Sequence, residues 1–324
     1  MAATILITGA NSSLPFPLVD YLLKHLPDLT LVLHAIANSP EAQVFVRELD
    51  LSSLSTVHNF SHRIATEVAE NSIPRLASII CAAYHWNLVG PMQLTSDGYE
   101  MTVQVSYLSH VALVLRLLGS FRAQAGGRII LFTSDGHESG KNQLEQIPPS
   151  MSAEAAQLDL LVKPGADDSS ADALGHGFHR YANAKLALVM WTHALNRRLQ
   201  RDDKLKNITA VVMNPGNLSD SRALRVNTPL KLVILSNFVV RPLRPLLNMT
   251  VDPTARTANA AAVDVARLAT NKAHPGHRGY FTLLKPDQGS DDSRDEATQE
   301  ALWTRTAKWV GITSQDTALG SLIE

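Results

Sequence analysis

The feature that most constrains this chain is an alternation of short apolar runs with helical patterns. "ATILITG" (residues 3–9) is β-rich and ends in Thr-Gly, "LVDYLLKHL" has helical spacing, and "LTLVLHAI" is a second apolar run. Strand, tight turn, helix, strand is a βαβ unit. The rhythm continues with a helix over "LSTVHNFSHRIATEV", a strand over "LASIICAAY" and a long helix over "DGYEMTVQVSYLSHVALVLRLLGSF". A strand over "GRIILFTSDG", a helix from about Tyr181 to Arg198 and a strand over "NITAVVMNPG" complete it. This order predicts an α/β fold, a Rossmann-like doubly wound parallel sheet with helices on both faces. At 324 residues the chain is expected to form one domain, 1–324, with room for insertions.

Two stretches break the rhythm. Residues 137–178 are rich in Ser, Pro, Gly and Asp and exceed an ordinary strand-to-helix connection, which predicts a surface insertion near the site. Residues 218–250 hold a long apolar run bracketed by Lys231, Arg241 and Arg244. A substrate lid is the favoured reading, because connections at the carboxyl ends of strands build the pocket. Contact with a membrane surface is the alternative.

Charge and cysteine content exclude several classes of function. The net charge is −1 with no long basic block, so nucleic acid is not an expected partner. Cys81 is the sole cysteine, which rules out an intramolecular disulfide framework and a cysteine zinc site, and agrees with a reducing, cytoplasmic setting. The start, "MAATILITGA", lacks a basic flank, and its apolar run is too short for a signal peptide or membrane span.

The strongest chemical signal is "HRYANAKLALVMWTHAL", with Tyr181 and Lys185 four residues apart on one face of a predicted helix. An ammonium near a phenol favours the phenolate, and a tyrosine so tuned can give a proton to a carbonyl oxygen receiving a hydride, or take one back. Upstream, "RIILFT" delivers Ser134 at its carboxyl end, where its hydroxyl can bind the substrate oxygen. After the next strand, "NPGNL" (214–218) is a turn suited to closing over the nicotinamide end of a cofactor. Asp135 reads as a turn cap, with a second acid or base in the pocket as the alternative. His137, Glu138, His176 and His179 lack the spacing of a metal ligand set and read as a solvated loop; no metal is expected. Trp303, Trp309 and Cys81 read as packing residues.

In this order, the motifs resemble the short-chain dehydrogenase/reductase family, and in particular its retinol-dehydrogenase-like members, over most of the chain. "TGANSSLPF" is similar to the Thr-Gly-x-x-x-Gly-x-Gly loop, "LDLSS" to the Asp-Leu adenine contact, "IICAAY" to the Asn-Asn-Ala-Gly strand end, and "GGRIILFTSDGH" to the strand bearing the catalytic serine. "TSDGYEMTVQVSYLSHVALVLRLL" and the tail segments "GYFTLLKP" and "LWTRTAKWVGI" resemble that subgroup too. The resemblance implies catalytic roles for Ser134, Tyr181 and Lys185, and cofactor contacts at Gly9, Leu14, Asp50, Tyr181 and Lys185. It also implies a nicotinamide dinucleotide, with NADP favoured over NAD, a small-molecule substrate, and a homo-oligomer by analogy.

The departures are specific. Ser13 and Pro15 replace loop glycines, Cys81 and Ala82 replace the paired asparagines, and Ser106 stands where a fourth catalytic residue, an asparagine, is expected. Proline is tolerated in a first helical turn, so Pro15 and Pro17 are expected to start the helix, while Ser13 adds a hydroxyl able to meet phosphate. The run after the second strand holds neither an acidic ribose contact nor an arginine; His34 is the candidate for a 2′-phosphate. The expected activity is an NADP(H)-dependent ketone reductase or secondary-alcohol dehydrogenase acting on a lipophilic small molecule in specialised metabolism. Non-redox chemistry in the same pocket and a non-catalytic binding role remain open alternatives.

Overall fold

A computed structural model describes residues 3–26, 28–33, 44–122, 124–165, 172–250 and 252–323. The chain runs β1 (Ala3–Thr8), α1 (Pro15–His25), β2 (Leu29–Leu33), β3 (Val44–Val46), α2 (Leu54–Ala69) and β4 (Leu76–Cys81). A continuous helical run follows: α3 (Met101–Val103), a π turn (Gln104–Leu108) and α4 (Ser109–Leu117). Then come β5 (Gly127–Phe132), α5 (Ala155–Val162), α6 (Ala173–Arg201), β6 (Ile208–Asn214), α7 (Leu230–Leu235) and α8 (Arg241–Thr250). The chain ends with α9 (Ala258–Ala269), β7 (Gly279–Thr282), β8 (Lys285–Asp287) and α10 (Glu296–Trp309).

Among the described residues the strands form one eight-stranded sheet in the order β3-β2-β1-β4-β5-β6-β7-β8. Every pairing is parallel except β7 with β8, so the expected doubly wound sheet is present. Side chains alternate between its faces. Ile5, Ile7, Leu31, Ile80, Ile130 and Val211 meet Leu18 and Leu22 of α1 and Ala262 and Val265 of α9. Their neighbours Leu6, Val32, Ile79, Ile129 and Val212 meet Val57 of α2, Val111 of α4 and Leu188 of α6 on the other face. Burial on both sides explains why these strands read as unbroken apolar runs.

The strand order reverses between β1 and β4, and the loops leaving the carboxyl ends of these two strands therefore diverge and open a crevice. Gly9 closes the foot of that crevice. It adopts φ +64°, and a Cβ there would lie 2.9 Å from the Ala83 Cα, so the close approach of the two strand ends requires glycine. Pro15 starts α1 as expected.

Residues 137–178 do more than cover the surface. Their α5 buries Leu158 and Val162 in the main core, and its Asp159 binds Arg305 and the Trp309 indole (3.2 Å) of α10. The amphipathic string "LDLLV" inside an otherwise polar stretch is the cause. Trp303 is buried, stacks on Trp191 at 5.6 Å, lies under the Arg198 guanidinium and donates its indole N–H to the Ile323 carbonyl. Truncating a large buried aromatic costs about 3–5 kcal/mol. Trp303→Ala should therefore lower the urea unfolding midpoint strongly, whereas the half-exposed Trp309→Ala should lower it much less; equal effects would contradict this packing.

Candidate active site

The residues proposed from the sequence converge at the carboxyl ends of β1, β4, β5 and β6. Ser134 follows β5 and caps a short 3₁₀ turn, with its hydroxyl accepting the Gly136 N–H at 2.9 Å. The same hydroxyl hydrogen-bonds the Tyr181 phenol and lies 3.3 Å from a carboxylate oxygen of Asp135. Asp135 in turn accepts the Asn142 amide at 2.8 Å. Tyr181 and Lys185 sit one turn apart on α6, with the Lys185 ammonium 5.4 Å from the centre of the Tyr181 ring.

The electrostatics differ from the simple picture of lysine lowering the tyrosine. Burial raises the Tyr181 phenol above its ordinary value, the Tyr84 phenol and Asp135 push the same way, and the Ser134 bond opposes them. Lys185 does not offset this, because its Nζ donates to the Phe132 carbonyl at 2.8 Å and desolvation brings its own pKa down to about 7. Spacing alone could not show where the ammonium points.

An aromatic wall surrounds Tyr181. Trp86, Phe178 and Tyr84 lie with ring centres 5.4, 5.9 and 6.2 Å from it, and buried Leu88 joins the same cluster. The loop carrying Tyr84 and Trp86 is tied to the start of the 218–250 segment. Leu88 N–H donates to the Asn227 carbonyl at 2.8 Å, the Trp86 indole to the Val226 carbonyl at 3.3 Å, and the Asn227 amide to the Trp86 carbonyl at 3.3 Å. Tyr84 bonds Ser221, and burial pushes its phenol up to about 12. The first part of the segment is thus bonded to the loop that carries the aromatic wall, whereas no residue of α7 is buried.

Beside this chamber is a cleft of about 290 Å³ lined by Gly9, Asn11, Ser12, Asp50, Ala83 and Tyr84 among others. Asp50 is exposed at its rim, its carboxylate accepting the Ser52 N–H (2.8 Å) and hydroxyl (2.7 Å). Leu14 is buried at the start of α1. The Ser13 hydroxyl accepts the Arg222 N–H at 2.8 Å, and the Arg222 guanidinium binds the Asn11 carbonyl. His34 lies outside the described residues.

The residues that replace the expected asparagines are also placed. With Cys81 and Ala82 there, the Thr8 hydroxyl accepts the backbone N–H groups of Ala82 (3.0 Å) and Ala83 (3.2 Å) and bonds His110 Nε2 (3.0 Å). Burial pushes the Cys81 thiol up, as suits a core residue. Ser106 sits in the π turn, its hydroxyl bonded to both the N–H (3.1 Å) and the carbonyl (3.3 Å) of His85, and its own carbonyl is met by His110 Nδ1 at 3.3 Å. π turns interrupt helices at functional sites with some frequency. His110, Arg222, Tyr84 and Trp86 were not found by sequence reasoning; the two aromatics in "CAAYHW", directly after a strand, were the available signal. Asn214 accepts the Gly216 N–H at 3.0 Å, and the Gly216 turn (φ +84°) packs so closely on the Thr254 carbonyl that a Cβ would stand 2.4 Å away. Among the described residues no group of three or more His, Cys, Asp or Glu is placed to hold a metal.

Known proteins resemble the chain in sequence and in fold. The AcuH dehydrogenase domain family matches residues 222–319. Dehydrogenase acuH of Aspergillus aculeatus is 49% identical over 94 residues, 29% of this chain and 95% of that protein. The family match at 222–319 takes in α7, α8, α9 and α10 and lies after Tyr181 in the chain. Short-chain dehydrogenase iccH of Talaromyces variabilis is 26% identical over 98% of both chains, and mouse retinol dehydrogenase 14 is 26% identical over 95% of this chain and 86% of its own. Among solved structures, an uncharacterised protein from Mycobacterium paratuberculosis superposes with a TM-score of 0.63 at 21% identity, covering 96% of this chain and 94% of its own. A short-chain dehydrogenase from Burkholderia cenocepacia in complex with NADP superposes with a TM-score of 0.53 at 17% identity, covering 87% and 96%. With the doubly wound sheet, the crevice at its switch point and a Ser-Tyr-Lys group beside it, these likenesses mean that the chain belongs to the short-chain dehydrogenase/reductase family and is an oxidoreductase of that family.

Proposed function

We propose that the protein is an NADP(H)-dependent ketone reductase or secondary-alcohol dehydrogenase for a lipophilic small molecule, of the kind found in specialised metabolism. The observation that carries this reading is the Tyr181 phenol, bonded to Ser134, set within an aromatic wall and next to a cleft rooted on Gly9. Apolar walls with a few convergent polar groups suit an apolar substrate carrying one reactive oxygen. The residues also fit a dinucleotide. Gly9 keeps the backbone low, the cleft passes from Asp50 to Tyr84, and the Arg222 guanidinium on Asn11 supplies a cation at the loop that lost its glycines. The preference for NADP rests on the lack of a carboxylate directly after β2, where His34 stands.

When bound, the cofactor supplies the hydride. The chain supplies the rest. Ser134 holds the substrate oxygen, Tyr181 Oη gives it a proton during reduction, and Lys185, one turn along, takes the nicotinamide ribose. The lid, stitched to Trp86 and Leu88, excludes water. A cytoplasmic setting is part of this proposal, supported by the single cysteine, which agrees with a reducing compartment.

Tyr181→Phe should cut turnover by about a hundredfold or more, the scale of lost general-acid catalysis, and leave NADPH binding followed by fluorescence almost unchanged. Full turnover in that variant would sink the assignment. Arg222→Gln should weaken ADP binding about tenfold through loss of a charge-assisted bond, with adenosine binding unaffected; a parallel loss of adenosine binding would show that the arginine merely shapes the loop. Lys185 makes a pH prediction. Its pKa falls from 10.5 to about 7 on folding, so between these values the unfolded chain holds a proton that the folded chain releases. Nucleotide-free protein should therefore gain stability as pH rises from about 7 towards 10.5, and lose that contribution as pH falls back through 7. In Lys185→Met the rise should flatten in urea titrations across this range; an unchanged slope would assign it to another group.

A further inference from the structure

From Arg222 to Thr250 the chain carries Arg222, Arg225, Lys231, Arg241 and Arg244 and no Asp or Glu, in a protein whose net charge is −1. The second half of this stretch, α7, its π turn (Ser236–Val240) and α8, packs chiefly on itself. No residue of α7 is buried. Leu230, Ile234 and Phe238 follow one another at four-residue spacing and are 71%, 50% and 74% exposed, and Met249 on α8 is 84% exposed. Lys231 and Arg241 are also exposed beside them. Large apolar side chains left in water across one continuous helical surface mark an interaction site.

The chemistry of the surface selects its occupant. Two copies of this chain meeting face to face would set the same cations against each other, with no carboxylate in the segment to pair them. Closure onto the catalytic chamber is the work of residues 221–227, which are already bonded there, whereas α7 and α8 stand apart from it. An apolar face flanked by Lys and Arg is suited to an anionic bilayer surface, where the apolar side chains enter the boundary of the acyl chains and the cations meet lipid phosphate. The one described helix long and apolar enough to span a bilayer, Met101–Ser120, is mostly buried within the fold and does not compete for this role.

We infer that the α7–α8 segment docks the protein on an anionic membrane surface, with Leu230, Ile234 and Phe238 inserted and Lys231, Arg241 and Arg244 on the headgroups. The surface lies directly after the lid, so docking sets the lid beside a lipid reservoir. This inference is independent of the assigned reaction.

The test is co-sedimentation of the full chain with vesicles of phosphatidylcholine alone and of phosphatidylcholine with about one third phosphatidylserine. Binding should occur with the anionic vesicles and be lost when salt rises from about 0.1 M to about 1 M, which shortens the screening length from about 10 Å to about 3 Å. Each cation near the surface is worth about fivefold in partitioning, so Lys231→Gln with Arg241→Gln and Arg244→Gln should weaken it about a hundredfold. Phe238→Ser should weaken it about tenfold. Far-UV circular dichroism checks that the variants fold, and the salt titration of the unmodified protein needs no variant. No binding to anionic vesicles, equal binding to neutral ones, or salt-insensitive binding would overturn the inference. So would a concentration-dependent dimer in sedimentation equilibrium that Phe238→Ser abolishes, since the face would then belong to a second copy.

Discussion

The site depends on one hydroxyl. Thr8 ends β1, and its side chain gathers the N–H groups of Ala82 and Ala83 at the end of β4 and the ring of His110 on α4. Three elements that separate at the switch point are thereby held at fixed spacing. The Gly9 turn next to it can approach Ala83 only because it lacks a Cβ. Buried polar groups of this kind are expensive to leave unpaired, so each partner makes the others' positions obligatory. A fold that lost its usual asparagine clamp has kept the spacing through backbone donors and an imidazole.

Around that anchor, desolvation dominates the chemistry. Burial draws Lys185 towards its neutral form and holds Tyr181 protonated, so it works against charge on either group. The Lys185 ammonium has the Phe132 carbonyl as its hydrogen-bond acceptor, and burial, not a partner charge, governs its proton affinity.

Much of this was legible in the chain because periodicity reports burial. β1, β2, β4, β5 and β6 lie on both-face-buried apolar runs, and Ser134 and Tyr181 lie near the ends of predicted elements where the doubly wound topology collects ligands. Short elements were not legible: β3 and β8 have three residues each, and α5 is hidden in a polar stretch. Contacts that span the sequence left no local trace. Arg222 reaches Asn11 across 211 positions, and His110 meets Thr8 across 102. The 218–250 segment read as one unit, yet it divides into a stretch bonded to the Trp86 loop and an exposed helical pair according to which residues find partners.

The α5-bearing insertion has its two ends on the active site itself, Ser134 just before it and Tyr181 just after. Gly136 and Phe178 pack together at its neck, where a Cβ on the glycine would lie 3.0 Å from the ring. The chain thus leaves and re-enters the catalytic centre through a closed neck. Between those ends α5 is seated in the core through Leu158 and Val162 and tied to α10 through Asp159. The separation of serine and tyrosine is therefore held by the packed body of the fold as well as by the neck, and a change in α5 would be felt at both ends.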